Sequence, residues 1–141
     1  IDFGWVGDIE WINTEELLVL LERGVIPVLA PLSSDGSGQL LNTNADSIAA
    51  HVAIALAKNT SFQVNLNLCF DLEGVMIDGK LCEVFNPQDF MLAKKDGKVS
   101  GGMIPKLDLG FKAVQAGVRH VRIVHPKDLY TQTMGTYLRL D

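Results

Sequence analysis

Ser100-Gly101-Gly102-Met103-Ile104-Pro105-Lys106, with the stretch that follows it to Val124, decides the fold class. Pro105 cannot lie deep inside a helix, because it has no N–H and its ring clashes with the carbonyl four residues back. A helix is therefore expected to start near Pro105. Leu109, Phe111, Val114 and Val118 give it an apolar side, and Gly117 stops it. Val121–Val124 then reads as a strand.

The same alternation recurs upstream. Asn42-Thr43-Asn44-Ala45-Asp46 precedes an Ala-rich helix expected to reach about Lys58, with Ile48, Val52, Ala55 and Leu56 as its apolar stripe. Phe62–Phe70 reads as a strand, buried in its second half, and Leu72–Ile77 as another before the turn at Asp78-Gly79. Asn86-Pro87 opens a helix through about Lys95, with proline near its first position. Gly135–Leu138 reads as a closing strand. Nearer the start, Asn13 and Glu16 bracket a helix N-terminus as in a capping box, Leu17, Leu18, Leu20 and Leu21 form its apolar face, and Gly24 ends it. Val25–Pro31 is a continuous apolar run, expected as a strand covered on both faces, with Pro27 placing it at an edge or a strand end. Ser33–Gly38 is expected as a loop, and Ile1–Ile12 as one or two short strands broken at Gly7. Strands alternating with helices predict an α/β protein, a three-layer α/β/α sandwich with a mainly parallel sheet.

Composition narrows the function. The chain has 141 residues, 48% hydrophobic and 21% charged, which are globular proportions. Twelve Lys and Arg against seventeen Asp and Glu give a net charge of -5. That argues against nucleic acid as a partner, since backbone binding needs clustered cations. No apolar run is long enough to span a bilayer, so no membrane partner is expected. No signal peptide is visible. Cys69 and Cys82 have no metal-ligand spacing and fit thiols in a reducing cytosol, so a cytoplasmic location is expected.

Three groups of residues could carry chemistry. Asn44 is placed to cap the helix that Asp46 enters, where the helix dipole favours an ionised carboxylate; Asn42 stands beside it. Plain capping is the bland alternative. Gly101 and Gly102 leave backbone N–H groups open to an anion at a helix start, and Lys106 adds a full charge there. This is not a Walker loop, which needs G-x-x-x-x-G-K followed by Ser or Thr. Asp71-Leu72-Glu73-Gly74-Val75 follows a buried strand, where open α/β sheets bind ligands; it could equally be a polar turn. His51, His120 and His125 share no ligand spacing and read as structural. Asp35-Gly36-Ser37-Gly38 opens no clear helix, so a Rossmann reading fails.

Taken in order, N-T-N-A-D (42–46), D-x-x-G-V (71–75), S-G-G-M-I-P-K (100–106), A-G-V-R-H-V-R-I (116–123) and a terminal G-T (135–136) resemble acetylglutamate kinase of the amino-acid kinase superfamily. Val6-Gly7-Asp8-Ile9 and Asn13 fit the same pattern, and the resemblance spans essentially the whole chain. It implies an amino-acid-kinase-type sandwich, with residues 1–59 completing an acyl-amino-acid-binding lobe and 60–141 forming a nucleotide-binding lobe. It implies ATP-dependent phosphorylation of the side-chain carboxylate of N-acetyl-L-glutamate, or of its N-succinyl analogue, in arginine biosynthesis. ATP and Mg²⁺ would be the cofactors, and the full-length protein a homo-oligomer. Lys106 and Asp46 would be catalytic, with no protein metal site, and Asn42 and Asn44 would bind the acyl-amino-acid. Asp71, Leu72, Glu73, Gly74, Val75 and Met76, with Lys98, Val99, Ser100, Gly101 and Gly102, would line the nucleotide site. The alternatives are a nucleotide-binding module without catalysis, another member of the superfamily, or an interaction domain that kept the fold alone.

Two features depart from the resembled pattern. Phe70 stands before Asp71 where Ser or Thr is usual, and Val124–Gly135 is short. Both traits resemble the variant of the Bacteroidetes lineage. The family's lysine with a glycine-rich loop, and its arginine for the acyl-amino-acid, are absent from these 141 residues, so the chain resembles a C-terminal portion and is expected to be inactive alone.

Overall fold

The computed structural model of the chain describes residues 4–59 and 62–141. Helix α1 is Thr14–Glu22. Asn13 Oδ1 accepts from the Glu16 N–H at 3.4 Å, and Gly24 (φ +74) turns the chain so that Val25 N–H donates to Leu20 O at 3.0 Å. Strands β1 (Leu32–Ser34) and β2 (Leu40–Asn42) form an antiparallel hairpin. Its loop is organised by Asp35, whose carboxylate accepts from Ser37 N–H and Oγ at 2.8 Å and from Gln39 N–H at 3.2 Å. Those bonds, the Ser37 N–H first, hold Asp35 below the usual carboxylate range.

Helix α2 (Ala45–Asn59) leads through β3 (Asn65–Cys69) to a small hairpin of β4 (Met76–Ile77) and β5 (Lys80–Leu81). Its turn is Asp78-Gly79, with φ of 50° and 76°, the left-handed pair that matches strand twist. Strand β6 (Val84–Phe85), helices α3 (Pro87–Lys95) and α4 (Met103–Gln115), and strands β7 (His120–Val124) and β8 (Thr136–Leu138) complete the order. The four-stranded sheet runs β3-β7-β8-β6. β3/β7 and β6/β8 are parallel, while β7/β8 is antiparallel. The α/β class with a mainly parallel sheet is as expected.

Helix α4 lies across the sheet. Met103, Leu107, Phe111 and Ala113 are buried against Leu66, Leu68, Val121, Ile123 and Leu138. Gly110 lets the helix approach, since a Cβ there would strike Leu138 Cδ1. Phe90 of α3 stacks on Phe111 at 5.8 Å. Arg122, buried in β7, donates to Asn67 Oδ1 and to the carbonyls of Leu129, Thr131 and Met134, tying the 125–135 loop to the sheet.

Several expectations fail. Val25–Pro31 is not a strand: among the described residues it joins no sheet, and Ile26 and Val28 are 85% and 91% exposed. Of Ile1–Ile12, residues 1–3 lie outside the described residues, and residues 4–12 make a single bridge, Val6 to Asn42. Ser33 and Ser34 belong to a strand rather than a loop. Leu72–Ile77 is extended only at its last two residues. The α2 face packed on the core holds Ala50 and Ala53, with Ala49, Ile54 and Ala57 beside them; of the expected stripe only Ile48 is buried. Small side chains let α2 approach α4 and β3 closely, so size rather than hydrophobicity sets its inner face. The helix at Pro105 starts two residues early, with the proline in the first turn, where its missing N–H is harmless.

Candidate active site

The first turns of α2 and α4 meet at the carboxyl end of β3. Asn44 sets the start of α2: its Oδ1 accepts from Ser47 N–H at 3.0 Å and its carbonyl from Ile48 N–H at 3.1 Å. That puts Asp46 in the first turn, as the sequence predicts. Lys106 occupies the first turn of α4, and its Nζ donates to Asp46 Oδ2 at 2.5 Å. The two side chains are 7% and 33% exposed. A cation at a helix N-terminus is repelled by the helix dipole, and its burial adds a desolvation cost. Asp46 offsets both. Among the described residues Asp46 is the one hydrogen-bond acceptor for Lys106, so two ammonium N–H groups remain for a ligand.

The structure brings the other expected residues together in part. Asn42 and Asn44 flank buried Thr43, whose hydroxyl meets Ser33 Oγ at 2.7 Å. Both asparagines are exposed; the Asn44 carbonyl oxygen is occupied by its cap, leaving its amide NH₂ open. Gly101 (φ +57) and Gly102 bring the chain into α4, which has no side-chain cap. Among the described residues the Gly101 and Gly102 N–H groups have no acceptor. Val99 is buried in the core and cannot touch a ligand through its side chain. Lys98 pairs with Asp78 at 2.6 Å, and that bond and charge push its ammonium up from the usual lysine range.

In the strand-end motif, Asp71 and Leu72 are exposed. Glu73 lies 3.9 Å from Lys127, and Val75 is buried with Met76 partly covered. Gly74 passes so close to β8 that a Cβ would come within 2.5 Å of Thr136 Oγ1. Sequence reasoning noted the terminal G-T but missed what the threonine does. The fully buried Thr136 hydroxyl accepts from Val75 N–H at 2.8 Å and donates to Cys82 O at 2.6 Å, fastening the motif to the sheet. Phe70, noted from the sequence as a departure beside Asp71, makes a contact that sequence reasoning did not foresee. Lys106 Nζ lies over its ring, 5.6 Å from the centroid. The histidines make local contacts: His51 Nδ1 meets Ser47 O, His125 caps Lys127 N–H, and His120 stands edge-on to Tyr137.

A separate groove of about 960 Å³, lined by Trp11, Leu17, Leu29, Leu32, Leu41 and Val52 among others, contains none of these site residues. Its walls mix apolar side chains with the carboxylates of Asp8, Glu10, Glu16 and Asp35, and no lysine or arginine lines it.

A buried lysine paired with a part-exposed aspartate where two helix N-termini meet concentrates positive charge of the kind that suits an anionic group. The model of the amino acid kinase family matches residues 1–125, and the chain belongs to that family. It is 42% identical to the acetylglutamate kinase of Cytophaga hutchinsonii over 98% of its own length and 55% of that protein's. Identity to the acetylglutamate kinase of Parabacteroides distasonis is also 42%, over 96% of this chain and 54% of that one. The solved structure of smu.665 from Streptococcus mutans UA159 superposes with a TM-score of 0.85 at 34% identity, covering 99% of this chain and 53% of that one. The chain thus spans about half the length of the curated relatives it matches. No described helix is long and apolar enough to cross a membrane.

Proposed function

We propose that the chain supplies the phosphoryl-transfer centre of an acetylglutamate kinase. The pairing of buried Lys106 with part-exposed Asp46 carries this reading. In the reaction a side-chain carboxylate oxygen of N-acetyl-L-glutamate, or of N-succinyl-L-glutamate, attacks the γ-phosphorus of ATP; the bond to the β-phosphate oxygen breaks, and ADP leaves with an acyl phosphate formed. The nucleophile has an unperturbed pKa of about 4.3 and is ionised at neutral pH, so no general base is required. Asp46 therefore orients Lys106 instead of taking a proton. Lys106 directs its two remaining N–H groups at the transferring phosphoryl oxygens, where preorganised charge lowers the barrier. Asn42 and Asn44 present amides to the acyl-amino-acid. Asp71–Met76 and Lys98–Gly102 border the nucleotide, with residues 60–141 as its lobe and 1–59 as part of the acyl-amino-acid lobe.

Among the described residues no cluster of three or more His, Cys, Asp or Glu could cage a metal ion. Mg²⁺ fits this centre as a partner of ATP phosphates, where it commonly keeps its waters and takes few protein ligands. Bound there, it would neutralise phosphate charge. The whole enzyme is read as a cytoplasmic homo-oligomer serving arginine biosynthesis.

The test is a coupled ADP assay on the chain alone and on a chimera that joins it to the N-terminal half of the Cytophaga hutchinsonii relative. The chain alone should give no acylglutamate-dependent ADP; the chimera should. Lys106→Ala in the chimera should lower kcat by roughly 10²–10³ and leave KM for ATP much less changed. A folded chimera that binds Mg·ATP but never turns over would favour a nucleotide-binding module. Sustained turnover by the chain alone would overturn the two-part reading of the site.

A further inference from the structure

Lys106 poses a physical problem that Asp46 only half solves. Its side chain is 7% exposed, at the positive end of α4, and one carboxylate oxygen occupies one of its three N–H groups. A protein could steady such an ammonium with more oxygen acceptors, but each would use a donor that a ligand needs. An aromatic face avoids that loss. Its quadrupole attracts a cation without accepting a conventional hydrogen bond, and the attraction grows where water is excluded.

Phe70 occupies that place. It follows the last residue of β3, its N–H donates to Val124 O at 3.0 Å, and its half-buried ring packs against the core. The ring is therefore held from both the backbone and the side-chain ends, with the Lys106 ammonium over it at 5.6 Å. We propose that Phe70 is a positioning residue for Lys106: its ring fixes the ammonium beside Asp46 while leaving two N–H groups for ligand oxygens. The significance for catalysis rests on the kinase reading above; the contact itself does not. A serine or threonine hydroxyl at position 70 would offer the ammonium an oxygen acceptor in place of the ring, so an aromatic residue here is a different way of holding the same charge.

The experiment has two arms. In the first, the chain is labelled with ¹³C-lysine, Lys106 is assigned by its loss in Lys106→Ala, and its Cε–Hε signal is recorded without nucleotide. Ring current should move that signal upfield of the other lysines. Phe70→Leu, which keeps apolar bulk and removes the ring, should abolish the shift, and Phe70→Tyr should retain it. A wild-type Lys106 signal among the exposed lysines overturns the proposal whether or not Phe70→Leu folds, and so does a shift that survives in Phe70→Leu. In the second arm the chimera is assayed. Phe70→Leu should reduce kcat roughly 2- to 30-fold, the range a cation–π contact spans, with little change in KM for ATP, and Phe70→Tyr should restore it. Equal kcat in all three proteins overturns the positioning role. Failure of the wild-type chimera to turn over at all counts against the kinase reading and leaves the first arm to decide the contact.

Discussion

Residues 4–44 and residues 62–141 draw on similar apolar sequence, yet they fold to very different densities. In the first region Thr43 is the one buried residue. Trp5, Trp11, Ile26 and Val28 are between 69% and 91% exposed, and α1 buries no side chain. In the second, Leu68, Val75, Leu107, Val121 and Ile123 are all but inaccessible. The difference lies in partners. Each strand of the four-stranded sheet has a neighbour, and α4 crosses three of those strands. Among the described residues the Val25–Pro31 run joins no sheet, and where Leu29 and Pro31 border a cleft against α2 they stay exposed. An apolar pattern therefore specifies burial only where another element supplies the opposing surface. Trp5, Trp11, Ile26 and Val28 thus leave apolar side chains of the first region open to other apolar surfaces.

The largest expected contrast comes from one kind of truncation made in both regions. Leu107→Ala should destabilise the chain by about 2–5 kcal/mol, from lost burial and the cavity left in a site that cannot collapse. Val28→Ala should cost no more than about 0.5 kcal/mol, because Val28 is already in water. Urea denaturation of the two variants checks this. Comparable losses would show that the first region is packed in solution and that the contrast is false.

A smaller effect is expected where the strand-end motif crosses β8. Gly74→Ala would press a Cβ against both the hydroxyl and the backbone N of Thr136, at 2.5 and 3.0 Å. Overpacking of this kind costs about 1–3 kcal/mol. Since Thr136 also holds Val75 and Cys82, the melting temperature should fall together with Mg·ATP affinity. A drop in stability with unchanged nucleotide affinity would mean that the motif's position does not matter to the ligand.

The second region was the legible one. Glycine and proline positions marked α3 and α4 within two residues, because caps and chain stops are local chemistry that a single sequence carries. Asp46 and Lys106 could each be placed in a first turn for the same reason. Their contact across 60 residues could not be derived from spacing; the resemblance implied only that both are catalytic. Thr136 and Arg122 were illegible for a related reason. Each bonds to main-chain groups brought near by the fold, and a backbone carbonyl leaves no signature in side-chain sequence. In the first region, β1 and β2 were hidden because Ser33 and Ser34 have turn-like composition. Val25–Pro31 misled because continuous hydrophobicity cannot reveal whether a neighbour exists.

The junction between the regions offers a further test. Asn44→Ala removes the Oδ1 bond to Ser47 N–H that starts α2. The loss should be about 1 kcal/mol, and it should loosen Asp46 two residues on. Amide exchange should therefore quicken over the first turn of α2 while β3 and β7 stay protected. Protection lost equally across the sheet would mean that α2 unfolds with the core as one unit.

The smallest expected effect grades packing within the second region itself. Cys69 is exposed on β3, whereas Cys82 is partly buried beside Asp89. Burial, with the Asp89 charge added, pushes the Cys82 thiol up from its ordinary value. The folded chain then holds that proton more tightly than the unfolded chain does. Below the unfolded thiol pKa, about 8.5, both states are protonated and stability is unaffected. Above it the unfolded chain ionises first, so stability falls as pH rises, until the folded value is passed. At pH 8 Cys82 is therefore less ionised than in the unfolded chain and also less accessible, and thiolate is the nucleophile. Substoichiometric iodoacetamide should therefore label Cys69 first by peptide mass, with Cys82 catching up on raising the pH or adding urea. Equal labelling rates at pH 8 would show that the β4–β5 hairpin opens readily, and that the dense half of the molecule loosens toward this edge.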